Sequence, residues 1–190
     1  MTGIFSAFGL SASAGLNAYI PLLIVALLAK YTNLIKLSTP WDALTSWWVI
    51  GIILFLGVIE FFADKIPAVD HVNDIIQTIF RPAAGAILFA AAANVVTDMN
   101  PVLSMALGLL TAGSVHAVKS LAIRPAVTAT TGGLGDPVVS FLEDIAAALV
   151  SFLAIIIPVI LACVLIIITS LAVMHIYRRA KDKKEHKEAQ

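Results

Sequence analysis

Asp70 and Asp74 stand four residues apart in "VDHVNDII", with His71 and Asn73 between them. In a helix this spacing puts both carboxylates on one face, with the imidazole three residues before Asp74 beside them. Glu60 and Asp64 repeat the spacing just upstream, and Glu143 and Asp144 are neighbours in "FLEDIAA". Carboxylates gathered this way bind hard cations through oxygen. Asp64, Asp70, Asp74, Glu143 and Asp144 are therefore the candidate ion-binding acids, with Asn73 as a neutral ligand. Asp70, Asp74, Glu143 and Asp144 form the narrower candidate metal set. Helix capping is a cheaper account of Asp70, Asp74 and Asp144. It leaves unexplained how many acids there are, and why Glu143 and Asp144 lead straight into apolar sequence.

Basic and neutral polar residues are interleaved with these acids. Arg81, His116, Lys119 and Arg124 all fall in or beside apolar runs, where an ionisable group is costly and a partner is expected. Asp74 is the expected partner of Lys119, and Glu143 that of Arg81. Snorkelling of Lys119 and Arg124 to the membrane interface is the alternative. Asn17, in "SASAGLN", interrupts the first apolar run and joins His116 as a candidate lining residue. Gly15 beside it suggests either close helix packing or a break along a cavity. Nucleophile elbows, P-loops, dinucleotide-binding glycine motifs and the zinc spacings of metalloproteases are absent, so no enzymatic activity is expected.

Elements that can position these groups follow from composition. Of 190 residues, 60% are hydrophobic and only 13% charged, which points to an all-α, polytopic membrane bundle. Expected spans are Ile4 to Ala29, Trp47 to Ala63, a third from near Asp74 past Pro82, a fourth from Pro101 to Ile123, and a long one from Val138 to Tyr177. That makes about five transmembrane helices, with broken or re-entrant segments where small and polar residues intervene. The N-terminus lacks a basic signal-peptide region and reads as an uncleaved first helix. "RPAVTATTGGLGDP" is the least helical stretch, expected as a loop or as unwound backbone inside the protein. Trp41, Trp47 and Trp48 suit an interfacial belt.

Net charge is zero but unevenly spread. Eight acids face four bases from Glu60 to Asp144, while the segment after His175 holds six of the twelve bases and three acids. The expected organisation is one membrane domain over 1–177 and a basic tail over 178–190 on the cytoplasmic side. The tail is mixed in sign, so nucleic acid is not an expected partner. Cys163, alone in "VILACVLIII", excludes a disulfide framework.

Short echoes link the two halves. "IPAVDHVNDII" aligns with "DPVVSFLEDIA", "FRPAAG" with "IRPAVT", and "SAGLNAY" more weakly with "AGSVHAV". Internal duplication, often inverted, is how many transporters build a site at the repeat interface. "GLSASAGLNAYIPLL", "EFFADKIPAVDHVNDIIQTIFRPAAGA" and "DPVVSFLEDI" together resemble a group of small, chiefly bacterial integral membrane proteins classed as a domain of unknown function. The resemblance implies the fold class and a bacterial inner-membrane location, and it marks the charged stretch as a family signature. It implies no activity.

The leading functional expectation is a small multi-pass transporter or channel-like protein for a cation, either a divalent metal or one coupled to protons. Arg81 and Lys119 would be counter-charges to its acidic intramembrane site. A second expectation is a binder or translocator of an anionic lipid or phosphate compound through Arg81, Lys119 and Arg124. A third is a scaffold or assembly subunit with purely structural ion pairs. Beyond a bound metal cation no cofactor is expected. The expected partners are the lipid bilayer, an ion or small solute, and a second copy through the small residues of "AAGAILFAAAA".

Overall fold

A computed structural model describes residues 2–93, 99–158, 160 and 174, and within helices it leaves out the side chains of Thr2, Pro67, Ala68, Asp70 and His71. Cys163, His175, His186 and the tail 178–190 lie outside the described residues. Met1–Ile155 form one compact unit, and the architecture below is that of this unit. A second unit, Ile156–Gln190, is described only in a few helical residues.

Seven α-helices and no strands make up the described residues. They are α1 (Thr2–Leu16), α2 (Tyr19–Tyr31), α3 (Trp47–Ala63), α4 (Pro67–Ala93), α5 (Pro101–Val118), α6 (Arg124–Thr131) and α7 (Asp136–Pro158). A 3₁₀ turn at Trp41–Thr45 precedes α3, and a π-helical turn at Lys119–Ile123 joins α5 to α6. Among the described residues three stretches are long and apolar enough to cross a membrane: Val72–Ala93, Pro101–Thr131 and Asp136–Pro158. The helices of α1, α2 and α3 are apolar but shorter. Large apolar side chains cover the outside, among them Trp48, Phe55, Ile75, Ile79 and Leu121. So wide an apolar surface suits lipid rather than water.

Sequence explains most of the boundaries. The first apolar run breaks at Asn17, whose Oδ1 accepts from the amides of Tyr19 and Ile20 at 3.0 Å and so caps α2. Asn100 caps α5 in the same way, accepting from Val102 N at 2.9 Å, with Pro101 as the first helical residue. Helix α4 starts at Pro67, earlier than the Asp74 start expected, and runs through Pro82 without ending.

One sequence expectation needs correction. The threonine-rich stretch is neither loop nor unwound: α6 is helical through Thr131, and only the residues from Gly132 to Gly135 turn. Its threonines sit comfortably in the helix because their hydroxyls bond the carbonyls four residues back, Thr128 to Arg124 at 3.0 Å and Thr131 to Val127 at 2.8 Å. Gly132, at φ +62°, then terminates the helix in the left-handed conformation. The small residues of "AAGAILFAAAA" let helices associate closely within the chain. A Cβ on Gly85 would collide with Ala112, Ser11 and the Gly108 carbonyl, so α4, α5 and α1 meet backbone to backbone there. Ser11 Oγ fastens this junction by donating to the Gly108 carbonyl at 2.7 Å.

Candidate functional site

The buried stripes of α3, α4, α5 and α7 bring their charged residues to one end of the bundle. On α3 the buried positions run Ile50, Ile53, Glu60, continuing to Asp64 just past the helix. On α4 they run Asn73, Gln77, Arg81 and then Ala84 and Leu88. The α5 stripe is Ser104, Gly108, Ala112 and His116, and α7 buries Ser140, Glu143, Asp144, Ala147 and Ser151. The C-terminal ends of α1, α3 and α5 thereby meet the N-terminal halves of α4 and α7. A polar chamber forms inside an apolar shell.

Arg81, wholly buried at 0% exposure, is its hub. Its Nε and Nη2 donate to Glu60 Oε1 at 3.3 and 2.9 Å, and Nη2 reaches Asp64 Oδ2 at 3.5 Å. Nη1 lies 3.9 Å from Asp74 Oδ1 and 3.2 Å from His116 Nδ1. A guanidinium only donates, so His116 Nδ1 accepts and its proton sits on Nε2. That nitrogen meets Thr78 Oγ1 at 3.2 Å, and Thr78 in turn donates to the Asp74 carbonyl at 2.9 Å. Both imidazole nitrogens are engaged, so His116 orients Arg81 and has no lone pair left for an ion.

Arg124 approaches the same acids from α6. Its Nη2 lies 3.4 Å from Asp64 Oδ2 and 3.2 Å from Glu143 Oε2, and Nη1 lies 3.8 Å from Asp74 Oδ2. Lys119 binds Glu143 Oε2 at 2.7 Å and the Leu16 carbonyl at 3.1 Å. The π-turn explains how both cations reach Glu143. Residues five apart in an α-helix point about 140° away from each other, whereas an i→i+5 turn returns them to one face. The Arg124 amide bonds the Lys119 carbonyl in that register.

Asp144 occupies a second branch, with Lys65 Nζ at 3.2 Å and Asn17 Nδ2 at 2.9 Å. Asp136 caps the outer end by accepting from Thr128 Oγ1 at 3.0 Å. The backbone of Asp70 belongs to α4, but its side chain lies outside the described residues.

These placements revise three expectations. Capping does not account for Asp74 and Asp144, which stand about two turns beyond the first residues of α4 and α7, where the helix dipole no longer acts. Lys119 (1% exposed) and Arg124 are buried and do not snorkel. The two ion pairs assigned from sequence are crossed. Arg81 takes Glu60, Asp64 and Asp74, because the tight connection at Asp64–Ile66 folds the end of α3 back onto α4. Glu143 instead goes to Lys119. Of the candidate metal set, Asp70 lies outside the described side chains, while Asp74, Glu143 and Asp144 each face a cation. Among the described residues no three His, Cys, Asp or Glu side chains are grouped to hold a metal ion. Lys65, Ser140 and Thr78 join the network unforeseen, and Gln77 is buried on the same stripe of α4.

The acids differ in how well they are satisfied. Asp64 is saturated: Oδ2 takes Arg81, Arg124 and Ser140 Oγ at 3.3 Å, and Oδ1 takes Asn73 Nδ2. Asp74 is loosely held. Both of its arginine contacts lie beyond hydrogen-bonding range, its Oδ1 has no hydrogen-bond partner, and its side chain keeps 17% exposure. Glu60, at 1% exposure, uses only one oxygen, and its Oε2 has no partner.

A profile of the family described as a domain of unknown function (DUF4126) matches residues 4–178. The chain belongs to that family. No curated protein and no solved structure matches it. The matched region takes in every charged residue of the chamber, and its apolar helices mark a protein of the lipid bilayer.

Proposed function

We propose that this protein is a small membrane transporter or channel-like protein that handles a cation, coupled to protons, at the buried ionic chamber. The observation that carries the reading is the state of Asp74. It is an under-satisfied, partly exposed carboxylate facing two buried arginines at 3.8–3.9 Å. Its role in the proposal is to receive the ion, and Arg81 and Arg124 hold its charge when the ion is absent. Asp64 is the fixed anchor of both arginines. Glu143 and Asp144, about two turns into α7, complete the acidic wall with Lys119 and Lys65 as their partners. Among the described side chains, Glu60, Asp64, Asp74 and Glu143 oppose only Arg81, Lys119 and Arg124, so negative charge is in excess. An added cation or proton relieves that imbalance in a medium where unpaired charge is costly.

Placement in a bacterial inner membrane with a cytoplasmic C-terminus belongs to the same proposal and rests on the basic run after His175. The anionic-ligand reading has less support, because Arg81, Lys119 and Arg124 already hold carboxylates. Purified protein in liposomes tests the proposal: an imposed proton or cation gradient should decay faster than in empty vesicles. Asp74→Asn and Asp144→Asn should slow that decay. If neither substitution changes flux, the acidic site is not the conduit, and a structural role for the charges takes its place.

A further inference from the structure

Glu60 and Gln77 carry two buried oxygens that the network leaves without donors. Glu60 Oε2 and Gln77 Oε1 have no hydrogen-bond partner, and the two residues are 1% and 2% exposed. They sit on adjoining helices, α3 and α4: Glu60 is bonded to Arg81 through its Oε1, and Gln77 lies one turn before Arg81 on the buried stripe of α4. Tyr19 closes the corner from α2 and is itself buried. Its Cβ packs over Gly57, where an added methyl would lie 3.2 Å away, which keeps the ring on the Glu60 face of α3. Carbonyl and carboxylate oxygens accept only, so neither orphan can satisfy the other. An unmet buried acceptor costs about 1–3 kcal/mol.

We propose that Glu60 is the proton-exchanging carboxylate of the chamber, and that Arg81 links its proton to the charge state of Asp74. The inference deepens the ion-handling reading and rests on it for its purpose. A proton from water adds to Oε2, forming an O–H donor where none existed and removing one negative charge. Arg81, which donates to Glu60 at 2.9 Å, then has its charge opposed mainly by Asp64 and Asp74. A cation at Asp74 meets stronger competition from the guanidinium, so protonation at one end expels the cation at the other. Loss of the proton restores the Glu60–Arg81 pair and frees Asp74. The charged and titratable groups around Glu60 are Asp64 on its own helix, Arg81 from α4, Lys119 from the π-turn and Tyr19 from α2.

Infrared titration of the full-length protein in lipid nanodiscs, from mildly alkaline to mildly acidic pH, tests the inference without any flux measurement. The wild-type protein should gain a protonated-carboxyl stretch that is lost in Glu60→Gln and retained in Asp144→Asn. In Asp74→Asn the same stretch should persist but appear at lower pH, because Arg81 then leans more fully on Glu60. Wild-type protein that gains no such stretch overturns the inference by itself, whether or not Glu60→Gln folds. A stretch unaffected by Glu60→Gln does the same, and so does a midpoint unmoved by Asp74→Asn. A titrating Glu60 in a protein that passes no ions keeps this proton site and removes the transport reading.

Discussion

Arg81 and Arg124 hold the same two carboxylates from different helices: Asp64 at 3.5 and 3.4 Å, and Asp74 at 3.9 and 3.8 Å. Each arginine opens an Arg-Pro-Ala string, so the echo between "FRPAAG" and "IRPAVT" has a spatial counterpart. The echo between "VDHVNDII" and "VVSFLEDI" has one too, since Arg124 bridges Asp74 to Glu143. The echoed segments meet through cations.

The two shared acids should respond differently to neutralisation. Asp64→Asn leaves two buried arginines short of their anchor, and breaking a buried ion pair by removing one partner costs about 3–5 kcal/mol. Asp74→Asn removes only long contacts and should leave thermal stability close to wild type. Thermal unfolding in detergent, followed by circular dichroism, compares the two. Equal loss would contradict the distinction between anchor and ion-receiving acid.

Lys119 and Glu143 should be coupled. Lys119→Met strips Glu143 of its closest cation, and Glu143→Leu leaves Lys119 buried with only the Leu16 carbonyl. The double variant should cost less than the sum of the singles, by about 0.5–3 kcal/mol. A double-mutant cycle on unfolding free energy measures this directly.

The π-turn makes a prediction about register. Deleting Ala122, whose side chain is exposed, would remove the extra residue and leave Lys119 and Arg124 four apart on one face of a regular α-helix. Arg124 should then keep Asp64 and Glu143. Inserting an alanine after Ala122 would instead rotate α6 by about 100° and take Arg124 away from them, although no charged residue has been changed. The expected outcome is a loss of stability comparable to Arg124→Gln for the insertion and a smaller loss for the deletion. Thermal melting of the three variants side by side checks it.

Helix contact at Gly108 should be intolerant of volume. A methyl there would overlap the Gly85 carbonyl, Phe89 and Ala86, and overpacking typically costs about 1–3 kcal/mol. Gly51, which has open space around it, is the control. Gly108→Ala should lower the melting temperature and Gly51→Ala should not.

Much of this was legible in residue order. Hydropathy marked the apolar helices, Gly15 and Asn17 left close packing and a helix break as alternatives where the structure has both, and the four-residue spacing of Glu60 with Asp64 placed both acids on one buried face. Pairing was less legible. Helical periodicity says which residues share a face but not which face meets which, so Arg81 and Lys119 were matched to each other's acids. The relation of Lys119 to Arg124 depends on a π-turn that no local signal in "KSLAI" announces. Threonine and glycine content misled at 124–131, because hydroxyls bonded to the helix's own backbone remove the usual objection to threonine. Asn73, Gln77 and Arg81 do form a buried helical stripe, and that periodicity was available to be read. Gln77 carried no charge to draw notice.

Asp74 is the carboxylate at which ion handling should be most sensitive. The most direct measurement is proton movement across proteoliposomes under an imposed cation gradient, read by a pH-sensitive dye trapped inside. Wild-type vesicles should shift internal pH in response to the gradient, and Asp74→Asn vesicles should respond about tenfold more slowly or not at all, a loss of about 1.4 kcal/mol or more in barrier terms. Wild-type vesicles that respond no faster than protein-free ones, or an Asp74→Asn protein that matches wild type, would contradict it.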